Sequence, residues 1–359
     1  MSNIVCIGAG QTGRGFINRF FKDIPVIFLD CNEGLIRQLQ SHHEYTINFA
    51  SQRAPLKMNN YSAYLLESAE GEDALKKADL VMISVGQQNL KKLVPILQNA
   101  FLSRNKREVT VITCENGVNV KKELLPLCEN PLVHIAEAII FCTTLKRNDS
   151  LDIFSEDLDY LPYDVGSLSH PLPFKGMIAE NNLEILMQRK IYTYNCISAV
   201  ISYLGYYKGY ENYAAAANDE EISSCISHTV KVLNKCICRE YNVASEEQEK
   251  FSKMAVTKFQ NKSIIDTIER NARDVDRKLG LKERIMAPLH LMMKYDDYCK
   301  ELLLTAACAL YYGRKTDTLL KSVNQYLTEL DNSWKKEILH YLELLEQQKS
   351  IQMIMNEIV

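Results

Sequence analysis

Ile4-Val5-Cys6-Ile7-Gly8-Ala9-Gly10-Gln11-Thr12-Gly13-Arg14-Gly15-Phe16, then a helix-like stretch, then Val26-Ile27-Phe28-Leu29-Asp30: this order decides the fold. It reads as a buried strand, a glycine turn, a helix and a second buried strand. The glycines let backbone approach a pyrophosphate, and the first amides of the helix face the phosphates. Asp30 closes the second apolar run about 20 residues on, where a carboxylate accepts hydrogen bonds from an adenosine ribose and repels a 2′-phosphate. The expected cofactor is therefore NAD rather than NADP. Gly8, Gly10, Gln11, Thr12 and Gly13 are the expected phosphate turn, and Asp30 the ribose contact. Glycines alone also mark ordinary strand-to-helix turns, and a lone Asp30 could be a solvated strand end. The flanking periodicities and the acid together carry the reading.

Working outward, Asp79-Leu-Val-Met-Ile-Ser84 and Val109-Thr-Val-Ile-Thr113 are further short apolar runs separated by helix-like stretches. That alternation predicts an α/β fold with a Rossmann-type, doubly wound parallel sheet. Both runs end in small or polar residues, and the carboxyl ends of parallel strands are where such sheets place ligands, so Gly86 and Asn116 are expected to border the cofactor. The plain alternatives are a turn glycine and an asparagine that begins a helix. From Leu183 onward the pattern becomes helical over 183–204, 214–241, 246–270, 283–311, 315–328 and 332–356. The expected division is a dinucleotide-binding domain with its connecting segment over 1–182 and a mostly helical substrate domain over 183–359. Asp152 to Pro173, with Pro162, Gly166, Pro171 and Pro173, reads as a connection holding short strands.

Composition narrows the function. A chain of 359 residues, 47% hydrophobic, is long enough for two domains with a large core. Its net charge of −3 argues against nucleic acid or an anionic membrane as the main partner and points to a small molecule. No apolar run reaches membrane-spanning length and the N-terminus is already a strand, so a soluble, cytoplasmic protein is expected. The 11 cysteines lack CxxC pairs and the 7 histidines do not cluster, so the thiols are expected to be reduced and no metal site is expected.

Gln188-Arg189-Lys190-Ile-Tyr-Thr-Tyr-Asn195-Cys-Ile-Ser198 places a lysine and an asparagine inside an otherwise apolar helix. At about 100° per residue, Lys190, Asn195 and Ser198 fall within an arc of about 140°. A buried lysine loses its preference for the charged form and can act as a base toward a hydroxyl near neutral pH, while amides can hold the alkoxide that forms. The bland reading, weighed equally, is a lysine snorkelling to solvent and an asparagine bonded in the core.

With Gly-Ala-Gly-x-x-Gly-Arg14-Gly15-Phe16, Cys114-Glu-Asn116 and Arg189-Lys190-x4-Asn195 in hand, the chain resembles the polyol-specific long-chain dehydrogenases, the mannitol dehydrogenase family. Phe154-Ser-Glu156, Phe174-Lys-Gly176, Tyr203-Leu-Gly205, Asp219-Glu-x-Ile222 and Glu269-Arg270-x-x-Arg273-x-x-x-Arg277-Lys278-Leu279 extend the likeness over nearly the whole chain. The resemblance implies a metal-independent enzyme that interconverts a sugar alcohol, here a hexitol phosphate, and its ketose with NAD. It implies Lys190 as general base and Asn116 and Asn195 as oxyanion-stabilising amides. Two departures accompany it. Ser198 stands where the family motif has histidine, and Ile139-Ile140 stands where the family has an Asp-Arg pair. Serine can hydrogen-bond a hydroxyl but cannot carry a proton near neutral pH. Those departures keep two other expectations open: a diverged, non-catalytic NAD(H)-binding or regulatory protein, and a dehydrogenase for a different polyol or a hexuronate-type acid.

Arg270, Arg273 and Arg277, spaced by three and four residues, would share one helix face and could hold a phosphate by charge-assisted hydrogen bonds. A solvated face paired with Glu269, Asp274 and Asp276 explains the same run.

Overall fold

The computed structural model describes residues 3–357 apart from 103, 105, 106, 148, 149 and 169. The chain divides into two compact units, Met1–Met187 and Gln188–Val359.

The first unit is built on six strands, β1 (Ile4–Ile7), β2 (Val26–Asp30), β3 (Tyr61–Leu65), β4 (Leu80–Ile83), β5 (Val109–Thr113) and β6 (Val133–Glu137). All neighbours run parallel in the order β3-β2-β1-β4-β5-β6. This is the doubly wound dinucleotide-binding order, with the crossover reversing beside β1. Every residue of β1, β4 and β5 is buried, which is why these strands read as continuous apolar runs rather than alternating ones. Alternate side chains feed opposite faces. Ile4, Cys6, Phe28, Met82 and Ile112 pack with Phe16, Ile17 and Phe21. Val5, Ile7, Val81, Ile83 and Val111 pack with Leu75, Leu90, Leu97, Phe101 and Leu124.

A second, four-stranded sheet joins Leu56–Met58, Tyr45–Phe49, Ile153–Ser155 and Thr144–Lys146, and Leu161–Asp164 pairs in parallel with Met177–Glu180. The segment expected to be a connection with short strands therefore pairs partly with residues about 100 positions earlier, Ile153 with Ile47 and Ser155 with Phe49.

The second unit is helical around Cys196–Tyr207, whose residues from Cys196 to Gly205 are buried except Ser198. Several expected helices are shorter than their periodicity predicted. The 214–241 stretch is two helices, Tyr213–Ala217 and Glu220–Tyr241, because the Asp219 side chain caps Ile222 N at 3.0 Å and starts a new one. The 246–270 stretch stops at Phe259, the 283–311 stretch divides into Met286–Lys294 and Lys300–Lys315 at left-handed Asp296, and 332–356 divides at left-handed Gln348. No helix among the described residues is long and apolar enough to cross a membrane.

Candidate active site

The glycine turn follows from close packing at one end and openness at the other. Gly8 has φ +97°, and a Cβ there would lie 2.1 Å from the Ser84 carbonyl oxygen at the end of β4. A Cβ on Gly10 would meet nothing within 4 Å. Gly10 is therefore not required by the protein's own packing, and its open side is where a pyrophosphate can lie against backbone. Gln11 is exposed and Thr12 half-buried beside it, while Gly13 turns inward. The chain then enters a π-helical turn, Gly13–Ile17, closed by Asn18 N–H on the Gly13 carbonyl. Buried Arg14 fastens this segment, donating from Nε to the Ala9 carbonyl at 2.7 Å and from Nη1 to the Leu151 carbonyl.

Asp30 sits at the carboxyl end of β2 and accepts from Ala9 N at 2.8 Å and Asn32 N at 2.9 Å. One lone pair on each oxygen stays available for a ribose hydroxyl. Gly86 follows β4 with φ +88°, and Asn116 is exposed just beyond β5. Glu115, which pattern reading passed over, organises this edge. Its buried Oε1 accepts from Val85 N at 2.7 Å and Gly86 N at 2.8 Å, and burial raises its pKa against those two bonds. An open glycine, an oriented acid and three loops at the strand ends fit a dinucleotide.

In the helical unit, helix Leu183–Lys190 passes into a second π-helical turn, Ile191–Asn195, before Cys196–Tyr207. Cys196 N–H bonds the Ile191 carbonyl, five residues back. This corrects the expected arc. In a regular helix Asn195 would stand about 140° round from Lys190; the five-residue hydrogen bonding of the π-helical turn narrows that angle. Such turns are rare and favour functional sites. Lys190 is 5% exposed, and burial first, then Lys258 and Arg284, lowers its pKa to about 7. The snorkelling alternative therefore fails for Lys190. Asn195 and Ser198 are half-buried. Below Lys190, Arg189 is anchored by Gln248 at 3.0 Å and Glu247 at 2.6 Å, with its guanidinium over Phe251.

The arginine row does not form one helix face. Helix Ile268–Ala272 ends at Arg273, Asp274 is left-handed, and Val275–Lys278 is a separate turn. Arg270 is held by both oxygens of buried Asp266, with Nε at 2.6 Å, and Arg277 pairs with Glu283 at 2.7 Å. Arg273 and Arg277 are exposed. Ile139 and Ile140, at the other departure, are buried after β6.

Comparison with known proteins decides the family. The profile of the mannitol dehydrogenase Rossmann domain matches residues 2–145, and that of the mannitol dehydrogenase C-terminal domain matches residues 182–358. The chain belongs to the mannitol dehydrogenase family. It is 28% identical over 306 residues to mannitol-1-phosphate 5-dehydrogenase of Geobacillus stearothermophilus, covering 79% of this chain and 80% of that protein. To the enzyme of the same name from Buchnera aphidicola subsp. Schizaphis graminum it is 26% identical over 335 residues, covering 86% of each. The fold matches mannitol 2-dehydrogenase of Pseudomonas fluorescens in its ternary complex with NAD and D-mannitol, with TM-score 0.76 at 13% identity over 99% of this chain and 93% of that one. A substrate-free D-sorbitol dehydrogenase matches with TM-score 0.74 at 14% identity, covering 96% of this chain and 93% of the other. As a mannitol dehydrogenase family member the chain is an NAD-dependent polyol dehydrogenase.

Proposed function

We propose that the protein interconverts a hexitol phosphate such as mannitol 1-phosphate and its ketose, fructose 6-phosphate, in the cytoplasm. The observation that carries this reading is Lys190, a lysine buried beside a π-helical turn with its pKa lowered to about 7. The neutral amine takes the proton of the substrate hydroxyl in the oxidation direction, and the ammonium returns it to the developing alkoxide in reduction. Bound NAD supplies the hydride acceptor, at nicotinamide C4. Asn116 and Asn195 act as amide donors to the oxygen as charge develops. Ser198 binds a neighbouring hydroxyl without exchanging protons near neutral pH. Because Lys190 supplies the base, the reading needs no metal. The names of the two bacterial relatives favour the phosphorylated substrate.

The test is NADH oxidation by the purified protein with fructose 6-phosphate, fructose, other ketose phosphates and keto acids, with Lys190→Ala as the control. Lysine-dependent turnover of fructose 6-phosphate is the expected result. Preference for an unphosphorylated ketose or a keto acid would move the substrate. Serine at 198 and the apolar pair at 139 and 140 favour one alternative, an NADH-binding protein without turnover, and binding with no reduction of any ketose would establish it.

A further inference from the structure

With Arg270 locked to Asp266 and Arg273 and Arg277 exposed, the row first considered for the phosphate offers no buried, available guanidinium. Arg284 differs from all three. Its side chain is only 15% exposed, and its single hydrogen bond among the described residues is a long one, Nε to Glu283 Oε2 at 3.4 Å. Glu283 spends its other oxygen on Arg277. The terminal amino groups of Arg284 are thus left to form a fork for an oxyanion.

What surrounds Arg284 also points to a ligand. Tyr213 is 5% exposed and its hydroxyl has no hydrogen-bond partner of normal geometry, although Ser198 lies near enough to oppose the upward pull of burial on the phenol. Arg284 acts electrostatically on this phenol, on Lys190 and on buried Lys278, whose Nζ bonds the Asn271 carbonyl at 2.6 Å. Arg284 and the Asp266-paired Arg270 thus act on a buried hydroxyl that lacks a bond of normal geometry, and Arg284 also acts on Lys190 and Lys278, with Glu283, Asp274 and Asp266 as the acids nearby.

We propose that Arg284 and the Tyr213 hydroxyl form the subsite that holds the phosphate monoester end of the substrate, in the same helical unit as Lys190 and Ser198. This rests on the hexitol phosphate reading. The guanidinium donates two parallel bonds to phosphate oxygens and the phenol a third, which satisfies the hydroxyl that the protein leaves unpaired. A phosphate placed there also offsets the repulsion that Arg284 exerts on Lys278 and on Lys190.

The test pairs kinetics with direct binding on the full-length protein. Arg284→Gln is expected to raise KM for fructose 6-phosphate by about thirtyfold or more, the loss typical of removing one partner from a desolvated charge pair, with a far smaller change in KM for unphosphorylated fructose. Tyr213→Phe should raise that KM by about three- to tenfold. Arg284→Lys, which keeps the charge and loses the fork, should fall between, and it guards against a folding defect in the glutamine variant. Inorganic phosphate titrated calorimetrically should give binding heat with wild type and none with Arg284→Gln. Equal KM changes for fructose and fructose 6-phosphate, unchanged phosphate binding in Arg284→Gln, or the same loss arising in Arg277→Gln instead would overturn the subsite. If the wild type reduces no ketose, the dehydrogenase reading fails separately. Arg284-dependent phosphate heat would then still support the subsite, and no heat in wild type would refute it.

Discussion

The amide of Ala9 donates to Oδ2 of Asp30 at 2.8 Å, so the acid that ends the second strand is fastened to the glycine turn that ends the first. The carboxylate is thereby oriented before any ribose arrives, and its charge stays close to where a 2′-phosphate would sit. Replacing Asp30 with Ala should raise KM for NAD about tenfold and narrow the preference over NADP by at least as much, since each factor of ten corresponds to about 1.4 kcal/mol. Asp30→Asn should retain the bond from Ala9 and most of the fold's stability while still losing discrimination. Steady-state kinetics with both cofactors checks this, and an unchanged NAD to NADP ratio in both variants would refute the role.

The first two glycines of the turn should separate packing from binding. A Cβ at Gly8 meets the Ser84 carbonyl oxygen at 2.1 Å in a left-handed backbone, so Gly8→Ala should lower stability by about 2 kcal/mol or more. A Cβ at Gly10 meets nothing within 4 Å, so Gly10→Ala should melt like wild type yet bind NADH about tenfold more weakly. Thermal melts and NADH fluorescence titration measure the two effects independently. A Gly10→Ala protein with full NADH affinity would mean the open side of the turn does not face the cofactor.

Glu115 should prove as important as the glycines. Its removal leaves Val85 N and Gly86 N without their acceptor, at a cost of about 1–3 kcal/mol for a buried group. Glu115→Ala should therefore destabilise the loop after β4 and weaken NADH binding, whereas Glu115→Gln, which keeps an acceptor oxygen, should lose much less. Amide exchange at Val85 and Gly86 reports the local effect.

How far the sequence could be read follows from where each signal resides. Strands β1, β2, β4 and β5 announced themselves because burial on both faces writes an unbroken apolar run. The sheet-edge strands β3 and β6, Tyr61–Leu65 and Val133–Glu137, contain Ser62, Tyr64, His134 and Glu137 and do not stand out. Lys190 and Asn195 were legible as polar residues in an apolar helix; the π-helical turn that sets their relative position was not, because a change from four- to five-residue hydrogen bonding leaves no compositional trace. Glu115 and Arg284 were missed for a related reason. Each is an ordinary charged residue in the sequence, and only tertiary packing makes the first a loop anchor and the second a sheltered cation.

Lys190 carries the sharpest pH prediction. Its pKa is about 7 in the folded protein against the ordinary 10.5, with burial the main cause and Lys258 and Arg284 adding repulsion. Between those two values the unfolded chain binds a proton that the folded chain lacks. The contribution of Lys190 to stability therefore falls as pH drops from about 10.5 to about 7, and levels off below. Lys190→Met, which fills the space without the charge, should be more stable than wild type at pH 7 by about 2 kcal/mol or more, and the advantage should vanish above about pH 10. The same substitution should remove turnover by at least about a thousandfold while NADH still binds. In the wild type, polyol oxidation should rise as pH passes through about 7 and ketose reduction should fall, because the first needs the amine and the second the ammonium. Denaturant melts across pH and bidirectional rate profiles check both sides. A Lys190→Met protein no more stable than wild type at pH 7, or a rate profile flat through neutrality, would show that the lysine is neither destabilised by its surroundings nor the base.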